Sequence, residues 1–233
     1  MAPADDLRSR LATVEARIRE ACERAGRDPR TVTLLPVSKG MPVERIRDAR
    51  RLGLVRFAEN RVQDAVPKMD ALADPELEWH LVGRLQANKA RRAVERFAVI
   101  QSVDSVELAE RLDRLAGELG RTLAVYLQVN VDDDPAKAGF GPDRLTNALG
   151  DLLGLASLRI AGLMTVGRVA ESADAARPTF RALRSLSEGL RARSPAIGPG
   201  LSMGMTADFE VAIEEGATIV RVGRAIFGER PAA

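Results

Sequence analysis

Four lysines, at positions 39, 68, 89 and 137, stand among 35 basic residues, so a lysine in this arginine-rich chain is a chemical choice rather than a default cation. An ε-amine can lose its proton and add to a carbonyl, whereas a guanidinium stays protonated and cannot. Lys39 is the one that ends an apolar run, with Val32 to Val37 stopping abruptly at Ser38, Lys39 and Gly40. That run has the length and β-branched content of a buried strand, and alternation puts Leu35, Val37 and Lys39 on one face. An amine at the rim of an apolar layer loses hydration, which lowers its pKa and favours the neutral nucleophile. The competing reading is a strand-end lysine reaching for water.

Two late segments suit a phosphate. Ser202-Met203-Gly204-Met205-Thr206 and Gly223-Arg224-Ala225-Ile226-Phe227-Gly228 combine small residues, which let backbone N–H groups approach oxygen, with the Ser202 hydroxyl and a short helix begun at Gly223. Ordinary turn glycines give the same pattern singly. Between them, Arg221 shares a strand face with Ile219 and Gly223 and points into the same mouth. A buried guanidinium needs a partner, so Arg221 meets either a carboxylate or a ligand acceptor. Asn60 and His80 fall at strand ends on the same rim, His80 as a hydrogen-bonded wall residue or a proton carrier. Three adjacent aspartates, Asp132 to Asp134, cannot converge easily on one cation and read as a solvated loop.

Positioning these groups requires a particular chain layout. Leu7, Leu11, Val14, Ile18 and Cys22 form one helical stripe over residues 4–25, an added N-terminal helix that stops at Gly26. Strands are expected at 32–37, 54–58, 79–83, 98–103, 123–131, 158–165, 197–201 and 218–222, with helical patterns between them. The seventh is punctuated by glycine and proline. Asp143 to Leu153 and Asp174 to Arg191 read as single helices, and Thr206 as the cap of the next. Eight alternations predict an α/β fold, a single (β/α)8 TIM barrel spanning residues 1–233, with the ligand end at the strands' C-termini. An open doubly wound sheet calls for Gly-x-Gly-x-x-Gly after the first strand, where Ser38-Lys39-Gly40 stands instead.

Composition narrows the function. A formal charge of +2 with interleaved signs and an aromatic content of 3% argue against nucleic acid. One cysteine and one histidine exclude disulfides within the chain and most transition-metal sites. Neither a leader peptide nor a membrane span is expected, which makes the cytoplasm the default location.

A lysine for a Schiff base and a phosphate cup at the last two strands describe a site for pyridoxal 5'-phosphate (PLP). Ordered stretches along nearly the whole chain then carry a resemblance. They are Val37-Ser38-Lys39, Glu59-Asn60 with Val62-Gln63, Trp79 to Lys89, Gln128 to Val131 with Lys137 and Gly139, Gly162-Leu163-Met164-Thr165, Leu201 to Met205, and Val220 to Gly223 with Ala225 to Gly228. The sequence resembles the YggS/PROSC family of PLP-binding, PLP-homeostasis proteins, whose fold is similar to the barrel domain of alanine racemase. The resemblance implies that Lys39 bears PLP as a Schiff base and that Ser202, with the backbone of Gly223 and Arg224, holds the phosphate. It also implies that Arg221 faces the pyridine nitrogen and that Asn60, His80 and Met164 border the cofactor. Ala58 and Arg61 replace the usual glycine and tyrosine around Glu59-Asn60, and Arg224 stands where a threonine is common.

The implied role is a non-catalytic carrier or regulator in intracellular vitamin B6 and amino-acid homeostasis, expected as a monomer, with apo PLP-dependent enzymes as candidate recipients. The alternatives are a PLP-dependent amino-acid racemase-like enzyme and a Lys39 aldolase with Glu59 as its acid-base group. Racemisation needs a second base, and Tyr126, the only tyrosine, falls in the middle of a strand.

Overall fold

In the computed structural model residues 3–167 and 172–229 are described. Eight parallel strands, β1 (Thr33–Pro36), β2 (Arg56–Glu59), β3 (Glu78–Leu81), β4 (Val99–Val103), β5 (Leu123–Gln128), β6 (Leu158–Met164), β7 (Gly200–Ser202) and β8 (Ile219–Val222), pair in the order β1-β8-β7-β6-β5-β4-β3-β2. A parallel bridge between Val37 and Ala58, with Ser38 N–H donating to Ala58 O at 2.9 Å, joins β1 to β2 and closes the ring. The (β/α)8 barrel therefore forms, with no open sheet edge to protect.

Alternation along each strand separates two apolar layers. Leu35, Ala58, Val99, Ala124, Tyr126, Met164 and Ile219 pack inside the barrel. Phe57, Ile100, Val125, Leu163 and Val220 face the helices outside. Those helices are α1 (Pro3–Arg24), α2 (Val43–Arg51), α3 (Val62–Leu72), α4 (Ala90–Arg96), α5 (Val106–Glu118), α6 (Pro142–Asn147), α7 (Leu149–Leu153), α8 (Arg177–Arg193), α9 (Phe209–Glu214) and α10 (Arg224–Phe227). Helix α1 buries its Leu7, Val14, Ile18 and Cys22 stripe against α9 and α10. Its polar edge is fixed by Arg17, which donates to Glu210 at 2.6 Å and lies 4.6 Å over the Phe209 ring.

Strand β5 ends at Gln128 rather than 131, and three further elements depart from the sequence pattern. Strand β7 is shifted to residues 200–202, because Gly198 and Gly200 lie so close to the Ala161 carbonyl that an added Cβ would come within 2.5 and 2.6 Å of it. The expected helix 143–153 divides at Ala148 into α6 and α7. Helix α9 begins only at Phe209, because the Asp208 carboxylate accepts from Met205 N–H at 2.6 Å and holds residues 205–208 as a turn, so Thr206 is not the cap.

A candidate ligand site at the C-terminal mouth of the barrel

Lys39 stands just beyond the bridge that closes the barrel, exposed at the rim. The strand end is held from both sides, by Val37 N–H donating to Val222 O at 2.9 Å and by Ser38 N–H donating to Ala58 O. Because Lys39 is exposed, its accessibility to a carbonyl compound comes from position; burial does not supply the expected desolvation.

The residue before it belongs to a buried polar cluster. Ser38 Oγ donates to Glu59 Oε1 at 2.7 Å, and Lys68 Nζ on α3 donates both to the same oxygen at 2.6 Å and to Ser38 O at 2.9 Å. Glu59 is fully buried. The Lys68 cation thus reaches through the carboxylate to the backbone that carries Lys39, fixing the β1 and β2 ends together. Asn60 follows on the β2 end, half-buried, with its backbone pressed so tightly on Gly83 that a Cβ there would lie 2.2 Å from Asn60 O. Ser102 Oγ in turn donates to Gly83 O at 2.7 Å, tying β4 into the same rim.

On β8, the strand paired with β1 on its other side, Arg221 is 5% exposed and donates from Nη1 to Ser202 Oγ and from Nη2 to Thr165 O, each at 2.8 Å. Among the described residues no carboxylate lies within ion-pair distance of it, so the salt-bridge reading of this arginine fails. Burial pushes its pKa down to about 10, with Asp208 pulling weakly the other way. It stays charged at neutral pH. A buried cation satisfied only by neutral oxygens is poised for a ligand acceptor. Met164 is fully buried in the adjoining interior layer.

The last two strands are stitched by a glycine. Gly204 at φ +89° turns the chain after β7 so that its carbonyl accepts from Arg221 N–H at 3.0 Å. Gly223 caps α10 and approaches β1, where an added Cβ would lie 3.2 Å from Val37 O. Since Ile226 N–H is the first to bond back, to Gly223 O at 3.0 Å, the amides just before it have no acceptor within the helix. The Arg224 side chain is exposed.

His80 is placed differently from the rim position expected of it. It pairs in register with Ala58 and Val99, one layer below Asn60, with both ring nitrogens engaged. Nε2 lies 2.7 Å from Glu78 Oε1 and Nδ1 lies 2.8 Å from Gln101 Nε2. Gln101 also accepts from Ser202 Oγ at 2.6 Å. No sequence motif marks Gln101, and none assigns a site role to Thr165 or Lys68. Gln101 could have been found as a polar residue two places after the inward-facing Val99 on β4. The acidic loop is tied to α8 by Asp132, which accepts from Thr179 Oγ1 at 2.6 Å, and is braced internally by Asp134, which engages Ala136 N–H and Lys137. Among the described residues no cluster of metal-ligating side chains occurs, and no helix is long and apolar enough to cross a membrane.

A barrel closed in this order with its polar rim at the strand C-termini has counterparts. The family model for the alanine racemase N-terminal domain matches residues 10–231, which defines the class of barrel. An alanine racemase of Clostridium difficile 630 superposes with a TM-score of 0.74 at 14% identity, covering 98% of this chain and 58% of that one, a likeness of fold alone. Within that class the chain belongs to the pyridoxal phosphate homeostasis protein family. It is 43% identical over 221 residues to the member from Aquifex aeolicus, covering 95% of this chain and 97% of that one. It is 42% identical over 220 residues to that of Pseudomonas aeruginosa, covering 94% of each. PipY of Synechococcus elongatus PCC7942, solved with PLP bound, is 42% identical with a TM-score of 0.85, covering 95% of this chain and all of that one.

Proposed function

We propose that this protein binds pyridoxal 5'-phosphate at the barrel mouth, bonded to Lys39, and serves as a carrier or regulator in intracellular PLP and amino-acid homeostasis. The observation that carries the reading is the donor set: an accessible amine just beyond β1, next to a buried, carboxylate-free Arg221 on the neighbouring strand β8 and the Gly223 turn. These groups fit an aldehyde, a ring nitrogen and a phosphate. A relative at 42% identity that was solved with PLP bound supports PLP as the ligand.

When bound, the cofactor would supply an aldehyde carbon that is reactive toward a primary amine. Lys39 provides that amine, after giving its proton to solvent. The amides at the start of α10 bind phosphate oxygens, Arg224 adds charge from its exposed position, and Ser202 fixes Arg221. Asn60 and Met164 border the ring, while His80 acts from one layer below. Arg221, charged at neutral pH, would disfavour a second positive charge on a ring nitrogen held beside it and so weaken the electron sink that amino-acid chemistry exploits.

A carrier reading is favoured over a racemase-like enzyme by the acid-base groups. Tyr126 is 8% exposed inside the barrel, and burial pushes its phenol up, so it offers no base at the mouth. Glu59, the aldolase candidate, is fully buried and committed to Ser38 and Lys68. An exposed Lys39 is open to exchange with a free amine or with a recipient apo PLP-dependent enzyme.

Borohydride reduction with peptide mapping is expected to place the pyridoxyl group on Lys39; finding it on Lys68, Lys89 or Lys137 instead would sink the assignment. In a paired experiment the loaded protein is incubated with amino acids in deuterated water and, separately, with an apo PLP enzyme. No α-proton exchange above that of free PLP, with activation of the apo enzyme, is expected. Stereospecific exchange that disappears in Lys39→Ala would establish catalysis instead.

A further inference from the structure

Lys39 and Arg84 stand on the same sector of the rim, on strands separated only by β2. Val37 bridges to Ala58, Ala58 pairs with His80 and His80 pairs with Val99, so these four residues share one layer from β1 to β4. Lys39 follows that layer by two residues and Arg84 by four. Neighbouring strands run about 4.8 Å apart, which separates the two strand ends by about 10 Å along the sheet. A ligand bonded to the Lys39 nitrogen is therefore within reach of the long Arg84 side chain.

The backbone beneath Arg84 is fixed. Val82 N–H donates to Glu59 O at 2.9 Å, Ser102 Oγ donates to Gly83 O at 2.7 Å, and Gly83 packs so closely on Asn60 that no Cβ fits. The guanidinium carried there is not. Arg84 is 81% exposed, and its ionic contact runs from Nε to Asp104 Oδ2 at 3.9 Å, too long for a hydrogen bond. The Asp104 carboxylate, largely buried at the end of β4, draws the Nε edge toward the mouth. Both η nitrogens are left without a partner among the described residues, and together they make the planar fork that fits a carboxylate.

Other cations at this end are turned away or engaged. Glu59 faces Lys68 on α3, so alternation turns Asn60 inward and Arg61, at the cap position of α3, outward. Lys89 ends the turn that leads into α4, and Lys137 lies 3.7 Å from Asp134. Arg224 flanks the Gly223 turn assigned to phosphate. Across the mouth from β1, the loop after β5 carries Asp132, Asp133 and Asp134, which repel an anion. An anionic group beside Lys39 is thus drawn to the β3 side.

We propose that Arg84 is the receptor for a carboxylate on the amine that exchanges with Lys39, so that the exchanging ligand is an α-amino acid in preference to a simple amine. The proposal rests on the reading that PLP is bonded to Lys39 at this mouth. The exchange balances without any oxidant or reductant: the carbon–nitrogen double bond to Lys39 is replaced by one to the incoming nitrogen, whose two protons pass to Lys39. Only the α-carbon separates that nitrogen from the carboxylate, so a carboxylate held at Arg84 keeps the amine turned to Lys39.

The test uses the reduced adducts N-(5'-phosphopyridoxyl)-L-alanine and N-(5'-phosphopyridoxyl)ethylamine, which differ only by the carboxylate and form no covalent bond to the protein. Calorimetry of the full chain free of PLP gives their Kd values, with no turnover involved. The alanine adduct should bind the unmodified protein roughly tenfold tighter, the scale of one charge-assisted contact, and salt should shrink the ratio. Arg84→Gln should bring the ratio to about one, and Arg84→Lys, which keeps the charge but not the fork, should leave it at about three. Arg61→Gln should leave it as in the unmodified protein. Arg84 is exposed, so its substitutions leave the fold intact.

Failure of both adducts to bind the unmodified protein overturns the reading of a PLP site at this mouth. Equal binding of the two overturns only the carboxylate receptor. So does a ratio that survives Arg84→Gln, which would put the carboxylate on another cation such as the freed Lys39, or a ratio lost in Arg61→Gln instead.

Discussion

Lys68 and Glu59 form a buried ion pair, 2.6 Å apart, that also grips the carbonyl of the residue preceding Lys39. Glu59 is fully buried and its second oxygen, Oε2, has no hydrogen-bond partner, so nearly all of its compensation comes from this one cation and the Ser38 hydroxyl. The Lys39 strand end is therefore held by charge as much as by packing.

Removing the cation alone leaves a carboxylate stranded in the interior. Lys68→Met is expected to lower stability by about 3 kcal/mol, whereas Lys68→Met combined with Glu59→Gln should recover part of that loss, because the uncompensated charge is gone. Urea unfolding of the two variants checks this. If the single variant is as stable as the unmodified protein, the pair is not the clamp described.

Gly83→Ala probes the rim from the β3 side. A methyl group there would lie 2.2 Å from Asn60 O, a backbone atom that cannot swing away. A loss of about 2 kcal/mol is expected from forced displacement of the β2 end. PLP retention should fall more than in Gly53→Ala, where the Cβ meets open space but the φ of +96° carries its own strain. Equal retention in both would show that the Asn60 position does not matter to the site.

The acid limit of stability is set away from the mouth. Burial raises the carboxyl pKa of Glu215, but Arg177 at 2.9 Å and Arg181 at 3.1 Å, with Arg184 nearby, more than offset this and leave it below the usual glutamate range. A depressed folded-state pKa contributes stability above the unfolded value that is lost as pH falls through the folded one. Acid unfolding is thus expected only below the range in which an ordinary glutamate titrates, and Arg177→Gln should move its midpoint upward while costing about 1 kcal/mol at neutral pH. Circular dichroism against pH is the measurement, and an unchanged midpoint counts against the network.

Arg224 is exposed where a threonine is common in the resembling family. On the proposed PLP reading its contribution to phosphate would be a screened charge, so Arg224→Ala should weaken PLP binding only a few-fold, with the difference vanishing at high salt. Arg221→Ala should weaken it far more at any salt, since that guanidinium is buried. A comparison of Kd at low and high ionic strength separates the two.

Periodicity alone determined the barrel, its interior parity and the strand end on which Lys39 falls, because a period of two and a period of 3.6 are written locally in the apolar pattern. The glycine-rich turns after β7 and β8 were legible for the same reason. What no local pattern contains is the pairing across the interior. Ser202 read as a phosphate hydroxyl, yet its proton is committed to Gln101, 101 residues away. Arg221 read equally well as a salt-bridge partner, and its observed acceptors are a serine oxygen and a backbone carbonyl. His80 read as a rim residue and lies one layer deeper. Strand stagger and closure decide which inward-facing residues share a layer, and hydrogen-bond directions follow from those neighbours. The sequence by itself therefore determined which residue types face the mouth, and only the closed barrel decided which of them touch.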